Sequence, residues 1–161
     1  MNYFKYGKNY YKSSPYFRCF YQIPNWHISR KYYRLSANKI HLMKRVVIYS
    51  PDFSLCYSLM MYLQTHYKVI ATTDIDIVSN LICNKSADLV IIDAEPDSQL
   101  ISKCEKFKNC RSDIPIILTY VFTNKSKDSE SQIKQIVDEI FYKPFDLNEI
   151  TSKIPELLAH H

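Results

Sequence analysis

Asp88-Leu-Val-Ile-Ile-Asp93 is the stretch on which the fold turns. Leu89 to Ile92 is uniformly apolar, so it reads as a central strand covered on both faces, the kind that belongs to a parallel sheet. Its last residue is an acid. Two further apolar runs also end on residues able to handle a phosphoryl group: Ile114-Pro-Ile-Ile-Leu-Thr119, and Glu139-Ile-Phe-Tyr-Lys143 followed by Pro144-Phe145. In a parallel α/β sheet, ligands bind beyond the carboxyl ends of the strands, so an acid, a hydroxyl and an amine at three strand ends converge on one small site. The chemistry they suit is an acyl phosphate. Asp93 offers a nucleophilic carboxylate, Thr119 a hydrogen-bond donor and Lys143 a compact positive charge.

Outward from these runs, strand-like and helix-like patterns alternate as in a βα repeat. Arg45 to Tyr49 reads as the first strand, and Asp52 to His66 as a helix with Leu55, Leu59 and Leu63 on one face. Lys68 to Thr72 is the second strand. Asp74 to Asn84 carries Ile77, Val78, Leu81 and Ile82 at helical spacing, and Ser98 to Cys110 carries Leu100, Ile101, Cys104 and Phe107. Pro115 heads the fourth strand, a tolerated position, with Ile116 to Leu118 as its core. Asn124 to Ser131 is polar and reads as loop; Ile133, Ile136, Val137 and Ile140 then continue an apolar stripe into the fifth strand. Asp146, with Glu149 three residues on, predicts the N-cap of a last helix that Pro155 kinks or ends. The predicted fold is α/β: a (βα)5, flavodoxin-like three-layer sandwich around a five-stranded parallel sheet.

Charge divides the chain. Residues 1–42 hold eight Lys or Arg and no Asp or Glu, while residues 43–161 hold thirteen basic and sixteen acidic residues. The basic segment also holds eight of the fourteen tyrosines, the only Trp (Trp26) and the only Gly (Gly7), without helical or strand period. Nucleic-acid binding and organelle targeting both suit such a segment, and both are weak signals. The preferred reading is a translation start placed too early, since Met43-Lys-Arg-Val-Val-Ile-Tyr opens like a free-standing domain; a disordered native extension comes next. No secretory signal and no run of ~20 apolar residues is present. Cys19, Cys56, Cys83, Cys104 and Cys110 are odd in number and form no CxxC pair, which predicts reduced thiols, no structural disulfide and no zinc site. His160-His161 reads as a tag remnant.

Asp93, Thr119 and Lys143-Pro144, in that order along a βα repeat, give the chain a family likeness: from Lys44 to Leu158 it resembles the CheY-like receiver domain of bacterial response regulators. That resemblance implies a phosphoacceptor role for Asp93, phosphate-stabilising roles for Thr119 and Lys143, and Mg2+ as cofactor. It also exposes departures. Ser50 and Pro51 stand where the family has its acidic pair, leaving Asp52 one residue beyond. The Mg2+ ligands are then Asp93, the Glu95 backbone carbonyl and, only if the turn shifts by one residue, Asp52, a thin set for an ion that relies on one or two carboxylates. Tyr120 replaces a small residue and is expected to restrict access to Asp93, and Ile140 replaces the aromatic that turns inward on activation.

The expectation is a cytoplasmic, single-domain, receiver-like protein of two-component phosphorelay signalling, not an enzyme, with Asp93 as nominal phosphoacceptor and a weakened Mg2+ site. Its partners would be a histidine kinase or phosphotransfer protein and an output protein, or a second copy, on the face of the fourth helix, fifth strand and last helix. The alternative is a pseudo-receiver acting as a phosphorylation-independent interaction module. A flavin or nucleotide binder is disfavoured because residues 43–161 contain no glycine for a phosphate-cradling loop.

Overall fold

Five short strands, Arg45–Tyr49 (β1), Lys68–Thr72 (β2), Leu89–Asp93 (β3), Ile116–Tyr120 (β4) and Glu139–Tyr142 (β5), form one parallel sheet in the order β2-β1-β3-β4-β5. This computed structural model describes residues 43–123 and 127–160. The basic segment 1–42, residues 124–126 and the final His161 lie outside them, so the readings made on those residues do too. The helices are Phe53–Leu63 (α1), Ile75–Cys83 (α2), Ser98–Cys110 (α3), Lys127–Ile133 (α4) and Leu147–His160 (α5). Every strand-to-strand connection carries one helix, and the result is the predicted three-layer sandwich.

Side-chain alternation along the central strands makes the two faces. Val47, Val90, Ile92, Ile116, Leu118 and Tyr120 pack with α2, α3 and α4, whereas Val46, Ile48, Leu89, Ile91 and Ile117 pack with α1 and α5. All five residues of β3 are buried, as are all five of β4, because both lie inside the sheet with helices over each face. At the amino end of the sheet, Asp88 accepts from the Arg45 backbone N–H (2.7 Å), from Nε (3.0 Å) and from Nη2 (2.9 Å), which fixes β1 against β3. The Arg45 guanidinium holds the Asp88 carboxyl below its ordinary range.

Three local expectations are corrected. Part of the segment read as loop is helical: α4 forms because Glu130, although charged, is buried and accepts from the Tyr142 hydroxyl at 2.5 Å while pairing with Lys134 one turn on. Tertiary partners override its polar composition. The helix then closes without glycine, through bonds from Gln135, Ile136 and Val137 N–H to Gln132 and Ile133 carbonyls, so Ile136 sits in a turn. Secondly, α5 does not end at Pro155. It continues to His160 with Ile150, Ile154 and Leu157 buried on both sides of the proline, and Asp146 caps it through the Asn148 N–H at 2.9 Å.

The third correction concerns sulfur. Cys83 and Cys110, each the last residue of its helix, lie side by side with Cα atoms 5.4 Å apart and form a disulfide. No spacing rule reveals this pair, because the adjacent packing of α2 and α3 brings together residues 27 apart. Cys56 and Cys104 are buried free thiols, and burial pushes the Cys104 thiol up to about 12. Because the disulfide closes a loop that encloses β3 and α3, the Cys83→Ser, Cys110→Ser variant is expected to lose about 3 kcal/mol, or roughly 12 °C in Tm. Thermal melts of the two proteins check this; coincident melts would mean the bond contributes nothing.

Candidate functional site

Asp93 ends β3, Thr119 sits beside it in register on β4, and Lys143 directly follows β5. Parallel pairing without offset brings the three side chains to one point. The Thr119 hydroxyl donates to Asp93 Oδ1 at 3.2 Å, and Lys143 Nζ lies 2.5 Å from the same oxygen. A fourth group completes the cluster. The Ser50 hydroxyl donates to Asp93 Oδ2 at 2.7 Å, and its oxygen accepts from the Asp52 backbone N–H at 3.0 Å. Asp93 is 4% exposed, while Ser50 and Thr119 are fully buried. Lys143 is joined to Pro144 by a cis peptide bond.

The carboxylate is therefore satisfied on both oxygens, with a charge-assisted contact on one and a short hydroxyl bond on the other. Ser50 appeared in the sequence only as a missing acid. The available signal was alternation: Ser50 follows Ile48 by two, which puts it on the α1–α5 side shared by Ile91, Asp93, Ile117 and Thr119.

The donor set does not fit Mg2+. The Ser50 hydroxyl is spent on Asp93, and the Pro51 side chain carries no ligand atom. The exposed Asp52 carboxylate caps α1, accepting from the N–H groups of Ser54 (2.8 Å) and Leu55 (3.4 Å). The turn shift that would recruit Asp52 is absent, since the cap and the Ser50 contact hold it in register. Among the described residues no group of three His, Cys, Asp or Glu is placed to hold a metal ion.

Tyr120 does not stand over Asp93. Next to Thr119 on the strand, it points to the opposite face, where it is 2% exposed and packs edge-on against Tyr142 with ring centroids 5.4 Å apart. Burial first, then the neighbouring Tyr142 and Glu130, push its phenol up, so it stays protonated. Ile140 is half-buried against the same core. The aromatic at the carboxyl end of β5 is instead Tyr142, which also meets Phe122 at 5.6 Å. Tyr142, Glu130 and Lys134 were not singled out by the sequence reading; the Glu130–Lys134 spacing was the one cue.

No protein-family model matches the sequence, and no curated protein does. Solved structures do match. A CheY-like response-regulator receiver domain protein from Methanospirillum hungatei JF-1 is 21% identical with a TM-score of 0.65, over 73% of this chain and 95% of that one. The chemotaxis protein CheY4 of Vibrio cholerae is 16% identical with a TM-score of 0.61, over 71% and 98%. A pilus assembly-related protein from Burkholderia pseudomallei K96243 is 16% identical with a TM-score of 0.62, over 73% and 90%. At these identities the likeness establishes the fold.

Proposed function

We propose that this chain, which has the fold of response-regulator receiver domains, is a receiver-like signalling module that works through protein contacts and keeps Asp93 closed to phosphoryl transfer. The observation that carries this reading is the Ser50 hydroxyl on Asp93 Oδ2, at 2.7 Å, where the fold's phosphorylation chemistry would place a metal-holding acid. Lys143 and Thr119 hold the other oxygen, so the carboxylate acts as a buried pin between β1, β3, β4 and the end of β5.

Signalling contacts are assigned to the α4–β5–α5 face. Val121, Phe122 and Tyr142 are 50%, 46% and 40% exposed at the carboxyl ends of β4 and β5. Exposed aromatics there supply the large, rigid anchors that protein interfaces favour. The partner is an output protein or a second copy of the chain.

The runner-up is a working receiver, with Asp93 accepting a phosphoryl group from a kinase or phosphotransfer histidine. The meeting of Thr119 and Lys143 on Asp93 favours it. A Mg2+ titration of the 15N-labelled chain separates the two readings. The amide signals of Ser50, Asp52, Asp93 and Glu95 are expected to stay fixed as Mg2+ is raised to about a hundred times the concentration of the protein; a saturating shift centred on Asp93 would restore the working receiver.

A further inference from the structure

A crevice opens at the carboxyl end of the sheet, next to Asp93 along the chain through Ala94 and Glu95 but on the side of α2 and α3. Its volume is about 260 Å3, and Tyr49, Pro51, Ile75, Ala94, Glu95, Asp97, Gln99, Leu100 and Lys103 line it. Tyr49, Ile75 and Ala94 pack against the α2–α3 core, while strand alternation with Ile48, Ile91 and Ile117 puts Ser50, Asp93 and Thr119 on the α1–α5 side. The place is the switch point of the sheet, where β1 is flanked by β2 on one side and β3 on the other and the two crossovers diverge. Open α/β sheets bind ligands at that point.

Its floor is apolar and its rim is acidic. Asp76 is paired with Lys103, so the one cation of the lining is neutralised. Asp97 is used as the α3 cap, accepting from the Leu100 N–H at 2.7 Å. Glu95 makes no hydrogen bond or ion pair among the described residues, and it lines the crevice together with Tyr49, Pro51, Ala94 and Leu100. Anions are disfavoured, because the N-termini of α2 and α3 that would attract them already hold the Asp74 and Asp97 carboxylates.

The geometry points to a binding site for an organic cation, a protonated amine or guanidinium on an apolar stem, seated between Glu95 and the ring of Tyr49. The stem lies on Ile75, Ala94 and Leu100, and the cation gains from the Glu95 charge and the Tyr49 ring face together. Such a cation comes from a free small molecule or from an arginine or lysine side chain of a partner protein. The site goes beyond the closed Asp93 reading and stands whether or not Asp93 accepts a phosphoryl group.

The test is a chemical-shift titration of the full 15N-labelled chain with phenethylamine, with an N-acetyl arginyl-phenylalanine amide, and with 3-phenylpropionate, which carries a carboxylate in place of the ammonium. Phenethylamine is expected to move the amides of Tyr49, Ala94, Glu95 and Leu100 with a Kd on the order of 1 mM, while 3-phenylpropionate leaves them unmoved. Glu95→Gln is expected to weaken the amine about fivefold, and Ala94→Leu, which fills the floor without touching the charge, to abolish binding in a protein with an unchanged fold-wide spectrum. Tighter binding by the dipeptide assigns the site to a partner's side chain; tighter binding by the amine assigns it to a small molecule. Equal shifts from amine and carboxylate, no shifts from either cation at 10-fold above that Kd, or binding unchanged by Glu95→Gln would overturn the assignment.

Discussion

Replacing Ser50 and Pro51 together with aspartate is expected to create a Mg2+ site and, with it, reactivity at Asp93. In the native chain the Ser50 hydroxyl satisfies Asp93 Oδ2, and the Pro51 side chain offers no atom to a metal. The double variant replaces that hydroxyl with a carboxylate against the buried Asp93 and adds a second carboxylate at the exposed position 51. Without metal, like charges at that range are costly, and the variant should be about 3 kcal/mol less stable than the native chain. Mg2+ binds only the folded form, so a hundredfold excess over its Kd should return about 2.7 kcal/mol. Melts with and without Mg2+ read both effects: the native chain is indifferent to the ion, the variant regains most of its loss. With acetyl phosphate present, the variant should also gain the mass of one phosphoryl group, and a further Asp93→Asn change should remove it. A double variant as indifferent to Mg2+ as the native chain would mean that something other than Ser50 and Pro51 keeps the metal out.

Lys143→Met is the second substitution with a large expected effect. Lys143 Nζ lies 2.5 Å from Asp93 Oδ1, and the Asp93 side chain is only 6% exposed. Removing the amine leaves a buried carboxylate with two hydroxyl donors and no compensating charge. Breaking one side of a buried pair costs about 3–5 kcal/mol, and here roughly 15 °C in Tm. Neutralising the survivor should recover much of it, so Lys143→Met with Asp93→Asn is expected to melt well above Lys143→Met alone. A single variant that melts with the native chain would show that the pair does not hold the strand ends together.

The sheet was legible because each strand is an apolar run with its own punctuation, and burial on both faces made Leu89 to Ile92 unambiguous. The convergence of Asp93, Thr119 and Lys143 was legible for the same reason, since strand ends of a parallel sheet meet. What escaped the sequence depended on long-range partners. Glu130 anchors α4 through Tyr142, twelve residues on in the chain, and no local pattern announces it. The Cys83–Cys110 bond needed the packing of α2 on α3. Tyr120 was misplaced for a different cause. Nearness to Thr119 along the chain suggests a ring over Asp93, whereas alternation on a strand sends neighbours to opposite faces. The same alternation would have turned Ser50 from a missing acid into a hydrogen-bond donor to Asp93.

The most direct measurement is the intact mass of the full chain after incubation with acetyl phosphate and Mg2+, beside its Asp93→Asn variant, with beryllofluoride binding read on the same samples. A carboxylate held by Ser50, Thr119 and Lys143 predicts no phosphoryl adduct and no beryllofluoride binding from a folded protein. A phosphoryl adduct on the native chain that the Asp93→Asn variant lacks would contradict the closed site and make this a working receiver.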